Sequence, residues 1–263
     1  MIQLYWLEQA EADLPSQYGW LAAAEALRLK SFRFPKRRAD WLLGRWTAKN
    51  AVAIHLGLPV DANSLANVEI RQTPSGAPDV LVANQPAPLV ISLSHRSGRS
   101  ICALAPAGEA IGCDLEVVEP RSDAFIGDYF AAEEQAVLAH TFEEDRAWVV
   151  TLLWSAKESA LKALREGLRL DTRSVTVRLA DPQPHRANES PPGEEGWLSR
   201  VERPETAGGW RRLWVRHSTG QVFPGWWLHA GGFVRTAVTG SPSAAPIPLA
   251  LATGKNLPST PST

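Results

Sequence analysis

The sequence is short of the residues that build several common kinds of site. Only two cysteines occur in 263 residues, Cys102 and Cys113, and they form no Cys-x-x-Cys pair or other metal-ligand spacing. That excludes a disulfide scaffold and a zinc ribbon. Both lie in apolar, strand-like runs, where a buried free thiol is the expected state, and a reducing, cytoplasmic setting fits them. Gly-x-Gly-x-x-Gly and the P-loop are missing, which excludes an ordinary nucleotide fold. Neither a Gly-x-Ser-x-Gly elbow nor an ordered Ser, His and Asp set is present, which removes the usual hydrolase reading. No apolar run approaches the roughly eighteen residues of a membrane span. Glu8 and Glu11 follow a start without basic residues, unlike a signal peptide. The net charge is only -1, so neither nucleic acid nor a membrane surface is expected as a partner, and any basic site must be local.

What is present in excess is tryptophan, with 11 copies against 3 tyrosines; most should serve as core or cleft wall. Strands are expected at 2–7, 67–71, 79–82, 89–94, 100–105, 110–116, 174–179, 197–202, 210–216, 226–229 and 233–238. Helices are expected at 20–31, from Arg37 to Leu56 with Gly57 and Pro59 as the stop, at 132–140, and at 145–166 before Gly167. This order implies an α+β chain of two α/β halves, 1–108 and 109–240, each a mostly antiparallel sheet packed with helices. No repeat of fixed period is evident. Residues 181–196 read as a surface loop. Residues 241–263, rich in Pro, Ser, Thr and Ala, read as a disordered tail.

The first informative segment is Gly112-Cys113-Asp114-Leu115-Glu116. In a strand, Asp114 and Glu116 project from one face. Two adjacent carboxylates repel unless a positive charge lies between them, and Mg²⁺ is a hard cation suited to that place. A solvated strand end with two acids is the plainer alternative. The second segment is Trp154-Ser155-Ala156-Lys157-Glu158-Ser159-Ala160-Leu161-Lys162. Helical spacing turns Val149, Leu152, Leu153, Ala156 and Ala160 inward and puts Glu158 and Lys162 opposite, near Trp154. Glu158 would supply a third carboxylate and Lys162 a point charge for a phosphate; an exposed Glu-Lys pair is the alternative. Arg38, Arg45 and Lys49 share a helix face and could bind an anion at a domain seam, or form a solvated stripe. Ser94 and His95 end a buried-looking strand, where α/β proteins place ligand contacts.

Taken in order, these segments resemble the Sfp-type 4′-phosphopantetheinyl transferases. The matching features are the basic helix with Arg38, Arg45 and Lys49, then Gly76-Ala77-Pro78, then Ser94-His95. Gly112-x-Asp114-x-Glu116 and Trp154-x-x-Lys157-Glu158-x-x-x-Lys162 follow. The resemblance covers residues 2–238. It departs at Ala77, where many members carry lysine, at Arg96, an extra residue in the Ser-His-Ser-Gly run, and at Leu115. It implies two halves in pseudo-twofold relation, with coenzyme A and Mg²⁺ between them. It also implies transfer of the phosphopantetheine arm to a serine of an apo acyl or peptidyl carrier protein. Asp114, Glu116 and Glu158 would then be metal ligands, with Glu158 also the base. Lys162 would hold the pyrophosphate, and Ser94, His95, Arg38, Arg45 and Lys49 would face the coenzyme A phosphates. A monomer is the expected state. A non-catalytic coenzyme A or carrier-binding module and a nucleotide pyrophosphate hydrolase stand as alternatives.

Overall fold

The computed structural model describes residues 1–166, 170–179 and 209–250. The elements are β1 (Tyr5–Ala10), α1 (Ala23–Leu29), α2 (Pro35–Leu56), α3 (Ala62–Ala66), β2 (Val68–Gln72), β3 (Pro78–Val82), β4 (Gln85–Pro86), β5 (Leu89–Arg96), β6 (Arg99–Pro106) and β7 (Ile111–Val117). There follow α4 (Asp123–Tyr129), α5 (Ala132–Ala139), α6 (Glu143–Ala163), β8 (Val175–Leu179), β9 (Arg211–His217), β10 (Val222–Ala230), β11 (Phe233–Thr239) and β12 (Ile247–Pro248). The chain is a mixed α+β fold, as expected. One sheet has the order β12-β1-β6-β5, a second β7-β11-β10-β9-β8, and a small third β2-β3-β4. Every ladder between named strands is antiparallel except β1 with β12.

Two long helices close the two large sheets. Helix α2 begins on Pro35, whose ring fixes a helical φ, and stops at Gly57, which takes the left-handed conformation at φ 67°. It buries Ala48, Ala51 and Val52 against Leu7, Ile91, Cys102 and Leu104. Helix α6 buries Val149, Leu152, Leu153 and Ala156 against Val177, Leu213, Val215 and Phe223. The second faces of the two sheets meet each other through Leu4, Ile101, Ala103, Cys113, Leu115 and Ala237. Both cysteines are free and buried in these layers.

Several boundaries differ from the sequence reading. Strand β1 starts at Tyr5 and runs on through Glu8 and Gln9, while Ile2 makes only a single bridge to Ser243. The polar residues stay in the strand because Glu8 pairs with Arg235 of β11 and Arg99 of β6. Strand β10 starts four residues before the expected 226 and passes through Pro224 and Gly225. The glycine is required there, since a Cβ would come within 2.7 Å of the Ala237 carbonyl oxygen. Helices α3 and α4 were not anticipated; each is short and capped by a side chain, Asp61 and Ser122. Residues 241–250 are not a disordered tail: Ile247 and Pro248 pair with Tyr5 and Trp6, and Ser243 accepts from Trp226 Nε1. The expected loop at 181–196, the strand at 197–202, the stop at Gly167 and the rest of the tail lie outside the described residues.

Each half is locked by the same buried ion pair. Glu25, third residue of α1, accepts from the Ala22 and Ile70 N–H groups and meets Lys49 of α2 at 2.5 Å. Glu134, third residue of α5, accepts from the Ala131 and Val177 N–H groups and meets Lys157 of α6 at 2.7 Å. Lys49 also donates to the carbonyls of Trp20 and Leu65, and Lys157 to those of Thr172 and Val175. Both lysine side chains are wholly buried. Burial pulls the two amines down and pushes the Glu134 carboxyl up, and the opposite charge resists in each case. The two lysines sit in a short echo, Trp46-Thr47-Ala48-Lys49-Asn50 against Trp154-Ser155-Ala156-Lys157-Glu158. So an internal repeat exists after all, too short and too far apart to show as a period.

Two outcomes follow for stability. Lys49→Met or Lys157→Met leaves a buried carboxylate without its partner and should cost about 3–5 kcal/mol in urea unfolding; a loss below ~1 kcal/mol in both removes the locking role. Glu8→Gln should cost about 2–3 kcal/mol at neutral pH by leaving Arg235 unpaired. Burial favours the neutral Glu8, but hydrogen bonds and charge from Arg235 and Arg99 outweigh it, and its pKa falls below 4.5. That contribution is present above 4.5 and lost as pH falls through the folded-state value. The gap between wild type and Glu8→Gln should therefore narrow in acid, and a constant gap contradicts this.

Candidate active site

Strands β5 and β7 lie side by side where the two large sheets meet, with no ladder between them. Side chains stitch this seam instead. The Cys113 N–H donates to Ser92 Oγ at 2.9 Å, and the Cys113 thiol donates to the Ser92 carbonyl. One step along, Ser94 Oγ donates to Asp114 Oδ1 at 2.8 Å. The strand period turns Gly112, Asp114 and Glu116 toward α6 and Cys113 and Leu115 toward the other sheet. Gly112 lets the helix come in close: a Cβ there would lie 1.8 Å from the Ser159 carbonyl oxygen and 2.9 Å from the Ala163 nitrogen. Ser155 and Ser159, both small, bond Thr236 of β11 and hold the helix at that distance.

On the helix, Trp154, Glu158 and Lys162 are one turn apart and meet the acids of β7. Lys162 Nζ donates to Asp114 Oδ1 at 2.8 Å and to the Cys113 carbonyl at 3.0 Å. Burial would lower the Lys162 amine, but Asp114 and its neighbours outweigh that and raise it. Trp154 Nε1 donates to Glu116 Oε1 at 3.3 Å, and the ring packs edge-on against Phe125 and Tyr129. Burial, then the Asp114 charge, pushes the Glu158 carboxyl up to about 7, with Lys162 opposing and Glu116 adding. Glu116 is raised by the same two causes, against Arg96 and Arg121.

Asp114, Glu116, Glu158 and Lys162 are thus brought together, but as charges interleaved rather than as a closed cage. Among the described residues no three acidic, imidazole or thiol side chains are drawn tightly enough to hold a metal ion as they stand. Lys162 sits on Asp114, and Arg96 and Arg121 flank Glu116 at 3.4 and 3.7 Å. Two oxygens are nonetheless buried with no hydrogen-bond partner among the described residues, Asp114 Oδ2 and Glu116 Oε2. Hard, orphaned carboxylate oxygens suit a divalent cation that takes its other ligands from water and phosphate.

A cleft of about 1200 Å³ leads to this cluster. Its lining includes Arg28 of α1, Arg37 and Arg45 of α2, Arg71, Gly76-Ala77-Pro78, Ser94, His95, Lys162 and Arg165. Both partners of Asp114, Ser94 and Lys162, line it, while the three acids are not among its lining residues.

The expected basic stripe divides. Arg45 lines the cleft and lies 3.7 Å from Glu25. Lys49, one turn on, is wholly buried on Glu25 and faces no ligand. Arg38 lies over the Tyr18 ring at 5.2 Å and is not on the cleft wall; Arg37 is. The wall-facing positions of α2 are 37, 40, 41, 44 and 45, and the helical period carries 38 and 49 past its rim. Sequence reasoning missed Arg28, Arg37 and Arg71, although residues 28–38 hold six cations and no acid. It also missed the ion cluster on Glu116. Arg96 is no bulge: Ser97 and Gly98 form a tight left-handed turn (φ 48° and 72°), and Arg96 pairs with Arg99 across it.

Residues 110–210 match the family model described as the 4′-phosphopantetheinyl transferase superfamily. The 4′-phosphopantetheinyl transferase HetI of Nostoc sp. is 25% identical over 187 residues, 70% of this chain and 76% of that protein. A 4′-phosphopantetheinyl transferase of Bacillus subtilis is 31% identical over 110 residues, 42% of this chain and 48% of that protein. A holo-[acyl-carrier-protein] synthase of Streptococcus agalactiae is 34% identical over 77 residues, 28% of this chain and 63% of that protein. The chain thus spans most of the first relative and less than two thirds of the other two.

The close approach at Gly112 can be tested. Gly112→Ala meets backbone atoms, which cannot turn aside, so it should cost more than the ~1–3 kcal/mol typical of overpacking and part Asp114 from Lys162. A stable Gly112→Ala protein with an unchanged fold would contradict the packing described.

Proposed function

We propose that this chain, which belongs to the 4′-phosphopantetheinyl transferase superfamily, transfers the 4′-phosphopantetheine arm of coenzyme A to a serine of an apo acyl or peptidyl carrier protein. The reaction uses Mg²⁺ and releases adenosine 3′,5′-bisphosphate. The observation that carries this reading is the continuity between cleft and acids: Lys162 and Ser94 line the same cleft as Arg28, Arg37, Arg45, Arg71 and Arg165, and both bond Asp114.

The residues divide the work by position. Arg45 and His95, with Arg28, Arg37 and Arg71, would hold the phosphates of the nucleotide end. Lys162, fixed by Asp114 and the Cys113 carbonyl, would hold the diphosphate beside the acids. Ser94 keeps Asp114 in place. Asp114 and Glu116, with their orphaned oxygens, and Glu158 would hold Mg²⁺, which when bound supplies Lewis-acid neutralisation of the diphosphate. Glu158 would accept the proton of the carrier serine as its oxygen attacks the β-phosphorus. In the cation-free protein, burial and the Asp114 charge push this carboxyl up to about 7, and a bound cation would lower it. The bond from the β-phosphorus to the bridging oxygen breaks, and its electron pair leaves with adenosine 3′,5′-bisphosphate. Such chemistry depends on positioning and charge neutralisation more than on covalent help. The seam between β5 and β7 supports two subdomains with a boundary near residue 109, although β12 returns to the first sheet.

Intact mass spectrometry of apo-carrier proteins incubated with coenzyme A and Mg²⁺ tests the proposal. The carrier should gain the pantetheine arm, whereas a hydrolase would release it free. Asp114→Asn and Glu158→Gln should each lower transfer by at least ~100-fold, the scale for losing a preorganised electrostatic contact. Near-normal transfer by either folded variant would remove the assignment of these acids.

A further inference from the structure

We infer that Arg96 is a tethered counter-cation of Glu116, parked on Glu119, which holds down the affinity of the free protein for a divalent cation. The inference rests on the reading of Asp114, Glu116 and Glu158 as cation ligands given above. Arg96 is the last residue of β5, and the tight turn at Ser97-Gly98 fixes its backbone beside the end of β7. Its guanidinium spans two carboxylates. Nη2 donates to Glu119 Oε1 at 2.6 Å, while Nε lies 3.4 Å from Glu116 Oε2.

The first contact is a short charge-assisted hydrogen bond. The second is a charge contact only, since Glu116 Oε2 has no hydrogen-bond partner among the described residues. Arg96 therefore neutralises part of the Glu116 charge and leaves its oxygen coordinatively open. Glu119 is what keeps it from closing fully on Glu116. Arg121 occupies the other flank, 3.0 Å from Glu119 and 3.7 Å from Glu116, with its guanidinium over the Phe125 ring at 5.1 Å. Phe125 in turn packs on Trp154, which donates to Glu116. Arg121 is thus wedged, with 22% of its side chain exposed against 39% for Arg96. Of the two, Arg96 is the arginine able to swing.

A cation approaching Glu116 must compete with Arg96, and Glu119 competes for Arg96. Removing the arginine charge should tighten cation binding. Removing the Glu119 charge should weaken it, and that second effect should vanish once Arg96 is gone.

The test is Mn²⁺ binding to the full chain without coenzyme A, read from loss of the free-ion electron paramagnetic resonance signal. Arg96→Gln should bind at least about fivefold more tightly than wild type, the effect of one unit charge near 4 Å in a solvent-exposed setting. Arg96→Lys, which keeps the charge, should stay near wild type. Glu119→Gln should bind more weakly, and the double variant should bind like Arg96→Gln alone. Equal binding by wild type and Asp114→Asn overturns the metal-site reading and this inference together. Asp114-dependent binding that Arg96→Gln leaves unchanged or weakens overturns this inference alone.

Discussion

The buried lysine–glutamate pair is the constraint on which the rest of the structure depends. A charged amine wholly removed from water is tolerated only where a carboxylate and carbonyls surround it, and both halves meet that demand in the same way. Glu134 joins the start of α5 to β8, and Lys157 joins both to α6. Once Lys157 is anchored, the rotation of α6 is set. Glu158, the next residue, and Trp154 and Lys162, one turn to either side of it, are then turned toward β7. Lys157 of the helix motif is thus the reason its neighbours point toward Asp114 and Glu116.

Orientation alone would not bring Lys162 within 2.8 Å of Asp114. The helix must also lie close, and the missing side chain at Gly112, with the short Ser155 and Ser159, allows it. The sheet supplies the acids at a spacing of two and the helix answers at a spacing of four, so a stretched register in either would separate them. The seam adds the other half of the molecule: Ser94 of β5 fixes Asp114, and Glu8 ties β1 to Arg235 of β11. The acids and Lys162 all come from β7 and α6, and the first sheet adds Ser94 as a further hold on Asp114.

The local part of this was legible in the sequence. Two-residue alternation in 112–116 and helical spacing in 154–162 are short-range rules, and the side chains they put together are together. What was not legible is long-range. Lys49 looks in sequence like another cation on an exposed face; only Glu25, Trp20 and Leu65, arriving from other elements, make it a core residue. Arg37 and Arg38 cannot be told apart without the rotation of α2 against the sheet. The strand expected at 226–229 left out Pro224 and Gly225, yet Gly225 is needed where β11 crowds β10. Arg96 looked like an insertion because its partners, Glu116 and Glu119, lie on another strand. The residues after 240 looked too polar to order, but a parallel pairing with β1 orders Ile247 and Pro248 through the backbone.

The echo between α2 and α6 separates scaffold from chemistry within this one chain. The positions that repeat are the tryptophan, the small pair after it, and the lysine, and each packs or pairs in its own half. The positions that do not repeat are those that face the seam: Asn50 stands where α6 has Glu158, and Ile54 where it has Lys162. Asn50 is wholly buried and donates to the Trp46 carbonyl within its own helix, and Ile54 packs on the first sheet's core. At these positions α6 carries charges beside Asp114 and Glu116, whereas α2 carries residues that pack. The cleft-lining cations of α2 are Arg37 and Arg45, on a different face from its repeated lysine. The two helices therefore share a lock but not a role: α2 gives the cleft Arg37 and Arg45, while α6 gives it Lys162 and sets that lysine on the acid cluster behind it.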